Sequence, residues 1–130
     1  MGISTSSAPH ILLVEDEPLA AEALERLLGR AGYRVTVATN GVEALEAVRS
    51  APIDGLITDH RMPAMTGGVL VQRIRAMHPR IPVIVVTGYA AEAQDALRAV
   101  PGQILILDKP VDPEELRELL GTLLRPAAAG

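Results

Sequence analysis

The chain contains no cysteine, no tryptophan and no phenylalanine, and Tyr33 and Tyr89 are its whole aromatic complement. Without cysteine there can be no disulfide framework, no Cys-ligated zinc and no thiol nucleophile. A cytoplasmic location fits that absence. Charge of one sign is also scarce: a net charge of −4 over 130 residues leaves no basic stripe, so direct nucleic-acid binding has no support. No apolar run approaches the ~18 residues that a membrane span needs, and no membrane partner is expected. The opening Met1–Pro9 is polar and small, unlike a secretory signal, and Gly2 with Ser6 is no more than a partial myristoylation match.

Aliphatic residues are abundant instead. Hydrophobic residues make up 48% of the chain, nearly all of them Ala, Leu, Val and Ile, which excludes a disordered polymer. The length suits one domain with a real core. Residues 1–9 and Arg125–Gly130 read as flexible tails around a domain at 10–124.

Within that domain five apolar runs alternate with five helical patterns. Ile11–Val14 is a bare aliphatic run, as expected of a strand covered on both faces. Pro18 opens a helix whose stripe is Ala20, Ala23, Leu24, Leu27, Leu28 and Ala31, and Gly32 ends it. The second strand is Arg34–Ala38, followed by a helix capped by Asn40 with Glu43, burying Val42, Leu45 and Val48. The third strand, Gly55–Thr58, leads to a helix over Gly68–His78. The fourth, Pro82–Thr87, leads to an Ala-rich helix over 91–100 that should be the least firmly packed. Gln103–Leu107 is the fifth strand, and Asp112-Pro-Glu-Glu115 opens a Leu-striped last helix. Strict alternation of this kind predicts a (βα)5 α/β domain, a doubly wound parallel sheet with helices on both faces.

In such a sheet the carboxyl ends of the strands line one ligand crevice. Here the first strand ends in Glu15-Asp16-Glu17, the third in Asp59, the fourth in Thr87 and the fifth in Asp108-Lys109-Pro110. Carboxylates, a hydroxyl and an ammonium converging there point to a hard cation and a phosphoryl group. Oxygen-only ligands with open water positions suit Mg²⁺, or Mn²⁺ in its place. A cation would quench repulsion between the acids and free Asp59 to act as a carboxylate nucleophile. Singly, each residue has a plainer role: Asp59 as a loop or cap aspartate, Thr87 as a strand-end hydroxyl, Lys109 as a solvated charge. Glu17 favours the helix N-terminus through the macrodipole. His60 reads as an exposed loop histidine, and His10 and His78 as surface residues at element ends.

Four ordered segments resemble the receiver domain of two-component response regulators: Ile11-Leu-Leu-Val-Glu-Asp-Glu-Pro18, Ile57-Thr-Asp-His-Arg-Met-Pro63 with Gly67 beyond, Val83-Ile-Val-Val-Thr-Gly88, and Leu107-Asp-Lys-Pro110. The resemblance implies a flavodoxin-like strand order 2-1-3-4-5 and a cis Lys109–Pro110 bond. It implies that Asp59 is the phospho-acceptor, Asp16 a direct Mg²⁺ ligand, Glu15 a ligand through water, and Arg61 a ligand through its backbone carbonyl. Thr87 and Lys109 would contact the incoming phosphoryl group. The donor would be a histidine kinase or histidine phosphotransfer protein, with a downstream protein target possible. The surface expected to change is that of the fourth helix, fifth strand and fifth helix. The acyl phosphate would be hydrolysed at a rate partly set by His60 and Arg61 near the attack path.

Two departures weaken the usual relay. Receivers commonly carry an aromatic three residues before the lysine, where this chain has Ile106, and another after Lys-Pro, where it has Val111. Tyr89, two residues past Thr87, is a candidate replacement for the switch, or merely a cover for its loop. The chain could be a standalone regulator or the receiver part of a hybrid histidine kinase. The rival readings are a pseudo-receiver that binds without phosphorylation, opposed by the intact acidic, Thr and Lys set, and a nucleotide-binding flavodoxin-like or Rossmann enzyme, opposed by the lack of Gly-x-Gly-x-x-Gly after the first strand.

Overall fold

Five parallel strands alternate with five helices in a computed structural model that describes residues 8–124: β1 (His10–Val14), α1 (Pro18–Arg30), β2 (Arg34–Ala38), α2 (Gly41–Ser50), β3 (Gly55–Thr58), α3 (Gly67–Met77), β4 (Val83–Thr87), α4 (Ala90–Leu97), β5 (Ile104–Asp108) and α5 (Pro113–Leu123). The sheet order is β2-β1-β3-β4-β5, as the resemblance implies. Apart from Ala8 and Pro9, the expected tails lie outside the described residues. No helix among the described residues is long and apolar enough to cross a membrane.

The alternation of side chains along each strand sorts the core into two layers. Leu12, Val14, Leu56, Val83 and Val85 face α2, α3 and α4, where they meet Leu45, Val48, Leu70, Ile74 and Leu97. Ile11, Leu13, Ile57, Ile84 and Val86 face α1 and α5, against Leu24, Leu28, Leu116 and Leu120. Both faces are covered, which is why Ile11–Val14 of β1 and Val83–Val86 of β4 are unbroken aliphatic runs.

Helix ends follow local chemistry. Glu17 Oε1 accepts from Ala20 N at 2.9 Å and caps α1, with Pro18 in its first turn. Gly32, at φ 101°, lets Tyr33 N–H return to Leu28 O at 3.1 Å and closes the helix in a Schellman turn. Asn40 caps α2 through Glu43 N, while the Glu43 carboxylate reaches back to Thr39 rather than to Asn40 itself. Asp112 caps α5 through Glu114 N.

Several expectations are corrected. Val42 is 60% exposed, at the second residue of α2, whose buried residues are Gly41, Ala44, Leu45 and Val48. The helix expected over 91–100 spans Ala90–Leu97, and its last residues tighten into short-range bonds, with Val100 N–H returning to Leu97 O. His10 is buried, its ring bonded to Pro52 O and Thr36 Oγ1, because it begins a strand rather than preceding one. His60 is buried as well.

Candidate functional site

Strand register brings the acids together. Val14 pairs with Thr58 across β1 and β3, so the residues that leave these two strands face each other where the chain order reverses. Glu15 N–H still bonds Ala38 O at 3.0 Å, and Asp59 N–H bonds Val14 O at 3.1 Å, fixing both backbones to the sheet. Carboxylate oxygens of Glu15, Asp16 and Asp59 lie within 4.8 Å of one another. Glu15 is buried and Asp16 exposed, with Asp59 between them in accessibility.

Lys109 enters this group from the end of β5. Its backbone N–H bonds Thr87 O at 3.0 Å, and Lys109–Pro110 is cis. The Nζ lies 2.9 Å from Asp59 Oδ2 and 3.1 Å from Glu15 Oε1. Burial pushes the Glu15 carboxyl above its ordinary range, and the Glu17 N–H and Lys109 offset that only in part. Burial also works against the Lys109 ammonium, but its bonds to Asp59 and Glu15 outweigh it and hold the group above its usual value. With every carboxylate ionised, three acids face one ammonium and two negative charges stay uncompensated. An all-oxygen donor set with that excess fits a hard divalent cation such as Mg²⁺.

The loop after β3 is drawn tight over the site. Gly67 N–H bonds His60 O at 2.6 Å, and a Cβ on Gly67 would stand 2.0 Å from Asp59 O. Glycine is therefore required by close backbone approach. Asp59 Oδ1 accepts from His60 N at 2.6 Å, so both carboxylate oxygens are held, one by this N–H and one by Lys109. Thr87 is fully buried, and its Oγ1 accepts from Tyr89 N at 3.0 Å. Ile106 pairs with Val85 and packs into the α2–α4 layer.

The residues on either side of this cleft hold a second constellation that sequence reasoning missed. His60 is 2% exposed rather than a surface loop residue. Its Nδ1 accepts from Gly68 N at 3.2 Å, which leaves Nε2, 3.2 Å from Glu92 Oε2, to carry the proton. Both ring nitrogens are thus engaged, which corrects the placement of this imidazole on the attack path. Arg61 extends outward to Glu92 Oε1 at 2.7 Å, and its guanidinium lies 3.6 Å from the centroid of the Tyr89 ring. The Arg61 pairing holds Glu92 below the ordinary carboxylate range.

Residues 11–121 match the family model of the response regulator receiver domain, and the chain belongs to that family. It is 43% identical over 121 residues to the response regulator protein PilR of Pseudomonas aeruginosa, covering 92% of this chain but 27% of PilR. It is 37% identical to the transcriptional regulatory protein ZraR of Klebsiella oxytoca, spanning 26% of that protein. The chain thus spans about a quarter of the length of these two curated relatives. The receiver domain of a sensor histidine kinase from Pseudomonas aeruginosa PAO1, solved with magnesium in its active-site cleft, superposes with a TM-score of 0.81 at 28% identity, covering 92% of this chain and 100% of that one. A CheY-like receiver from Methanospirillum hungatei gives 0.84 at 25% identity, covering 95% and 100%. Members of this family are signalling modules of two-component systems whose general function is to accept a phosphoryl group.

Proposed function

We propose that this receiver accepts a phosphoryl group on Asp59 from a phosphohistidine of a histidine kinase or histidine phosphotransfer protein. The observation that carries the reading is the Asp59 carboxylate held between His60 N–H and Lys109 Nζ beside two further acids. A carboxylate oxygen of Asp59 attacks phosphorus. The P–N bond breaks, and its electron pair leaves on the imidazole nitrogen, which takes up a proton. Lys109 passes from Asp59 to a phosphoryl oxygen, and the Thr87 hydroxyl donates to another. The transfer is mainly positioning and charge stabilisation, which rigid strand ends supply.

Asp16, Asp59, Glu15 through water and the Arg61 carbonyl would hold Mg²⁺, or Mn²⁺. When bound, the cation neutralises charge on the transferring group. Water later attacks phosphorus, the bond from phosphorus to the Asp59 oxygen breaks, and inorganic phosphate leaves the free carboxylate behind, at a rate set in part by Arg61. The face of α4, β5 and α5 carries the message, either to a separate target or within a hybrid histidine kinase, in the cytoplasm.

Incubation with acetyl phosphate and Mg²⁺, followed by intact mass, tests the reading. Wild type should gain one phosphoryl group, lost in base or with chelator present, and Asp59→Asn should gain none. An unchanged wild-type mass in Mg²⁺ would favour a phosphorylation-independent binding module instead.

A further inference from the structure

We infer that Glu92 is a positioning residue, holding the two residues that follow Asp59 and so tying α4 to the state of the cleft. The inference rests on Asp59 being the phosphoryl acceptor. His60 and Arg61 are consecutive, yet one side chain runs inward and the other outward, and both end on the Glu92 carboxylate. Arg61 approaches it with Nη2 at 2.7 Å and Nε at 3.3 Å and 3.4 Å from its two oxygens. The same guanidinium covers the Tyr89 ring. Tyr89 N–H in turn donates to Thr87 Oγ1. These contacts form a ring that starts at Asp59, crosses α4 and returns to Thr87. Asp59 would carry the phosphoryl group and Thr87 would bond to it.

The element in the middle of the ring is short and buries few side chains. Helix α4 has eight residues, no side-chain cap from Tyr89, and only Ala93 and Leu97 buried. Ala93 is the buried side chain of its first turn, and Glu92 adds the contacts that tie that turn to the loop after Asp59. Ile106 removes the strand-5 aromatic as a route from the cleft to this helix, and the ring supplies another. In the structure Thr87 Oγ1 accepts from Tyr89 N–H, which leaves the hydroxyl proton free to donate. Displacing Thr87 Oγ1 toward a phosphoryl oxygen, to which its proton would donate, draws the acceptor away from Tyr89 N–H, shifts the aromatic ring on which Arg61 lies and loosens Arg61 from Glu92. The Glu92 contacts thus belong to the unphosphorylated arrangement, and their loss moves α4 toward the phosphorylated one.

Amide NMR spectra of wild type, Glu92→Ala, Glu92→Gln and Asp95→Ala, each free and saturated with beryllofluoride and Mg²⁺ as the phosphoryl mimic, test this. Glu92 is half exposed, so these variants keep the fold, and Asp95 pairs with the exposed Arg98 just past the end of the helix. Without the mimic, Gln94–Leu97 of Glu92→Ala should lie displaced along the line joining the free and mimic-bound wild-type positions, by about a five-fold change in the ratio of the two states. Glu92→Gln should fall on the same line, and Asp95→Ala should coincide with wild type. A Glu92→Ala spectrum coincident with wild type, or displaced off that line, overturns the inference while Thr87 and Lys109 still respond to the mimic. No response of Thr87 and Lys109 in any of these proteins would instead remove the acceptor reading, and the inference with it.

Discussion

Glu15 is a buried acid whose environment disfavours its charge, and this makes it a probe of the cleft. Its folded-state pKa is raised chiefly by burial. The folded protein therefore binds this proton more tightly than the unfolded chain does, so the contribution of Glu15 to stability falls as pH rises from its ordinary value near 4.5 through the raised one. Glu15→Gln should accordingly raise the melting temperature at neutral pH in chelator, and the gain should vanish as the pH is lowered toward 4.5. Added Mg²⁺ should reverse the order, since a cation favours the ionised acid. A Glu15→Gln protein less stable than wild type in chelator would contradict this account of the site. At Gly67, the missing side chain matters as much. Gly67→Ala would drive a Cβ into Asp59 O, costing about 2 kcal/mol in chemical denaturation and slowing phosphorylation together with it. A stable, fully reactive Gly67→Ala would show that the loop does not set the position of Asp59. The carboxylates, Thr87 and Lys109 were legible because each ends an apolar run. His60 and Glu92 were not. A loop has no periodicity from which burial can be read, and an acid in the first turn of a helix already has a reason to be there. Their partners lie far off in sequence, with Arg61 and Glu92 separated by 31 residues.

Among the elements, α4 stands apart from its neighbours. Its first turn is tied to the loop after Asp59 by half-exposed Glu92, and its two buried side chains include an alanine. Amides of Ala90–Leu97 should exchange faster than those of α3, whose core side is Leu70, Val71 and Ile74. Equal protection would remove α4 as the mobile element. The other end of the same region is fastened. Arg75 on α3 is buried, and its guanidinium donates to the carbonyls of Ile81 at 3.0 Å, Gln103 at 2.6 Å and Pro101 at 2.5 Å. It joins α3 to the lead into β4 and to the connection before β5. Arg75→Met should cost about 1–2 kcal/mol in chemical denaturation, because it leaves the buried Ile81 carbonyl and the part-buried carbonyls of Pro101 and Gln103 without their donor. A loss within experimental error would show that water replaces the guanidinium. The low apolar content legible in the sequence corresponds to a helix whose buried residues are Ala93 and Leu97. The Arg75 staple left no trace in the sequence, since an arginine on an amphipathic helix ordinarily reads as a solvated face.

For the molecule as a whole, the alternation of short aliphatic runs with amphipathic stretches was enough to predict a (βα)5 sheet covered on both faces. The order β2-β1-β3-β4-β5 was not readable from that pattern, which leaves strand neighbours open, and came from the resemblance instead. Once the sheet is ordered, the register of β1 with β3 forces Glu15, Asp16 and Asp59 into one crevice. The central claim is that phosphoryl chemistry happens at Asp59 and at no neighbouring acid. Borohydride reduction of the protein after acetyl phosphate and Mg²⁺ treatment, followed by peptide mass mapping, tests it most directly, because an aspartyl phosphate is reduced to homoserine where an ordinary carboxylate is not. Homoserine should appear at position 59 alone. Homoserine at position 16, or at no position, would contradict the claim.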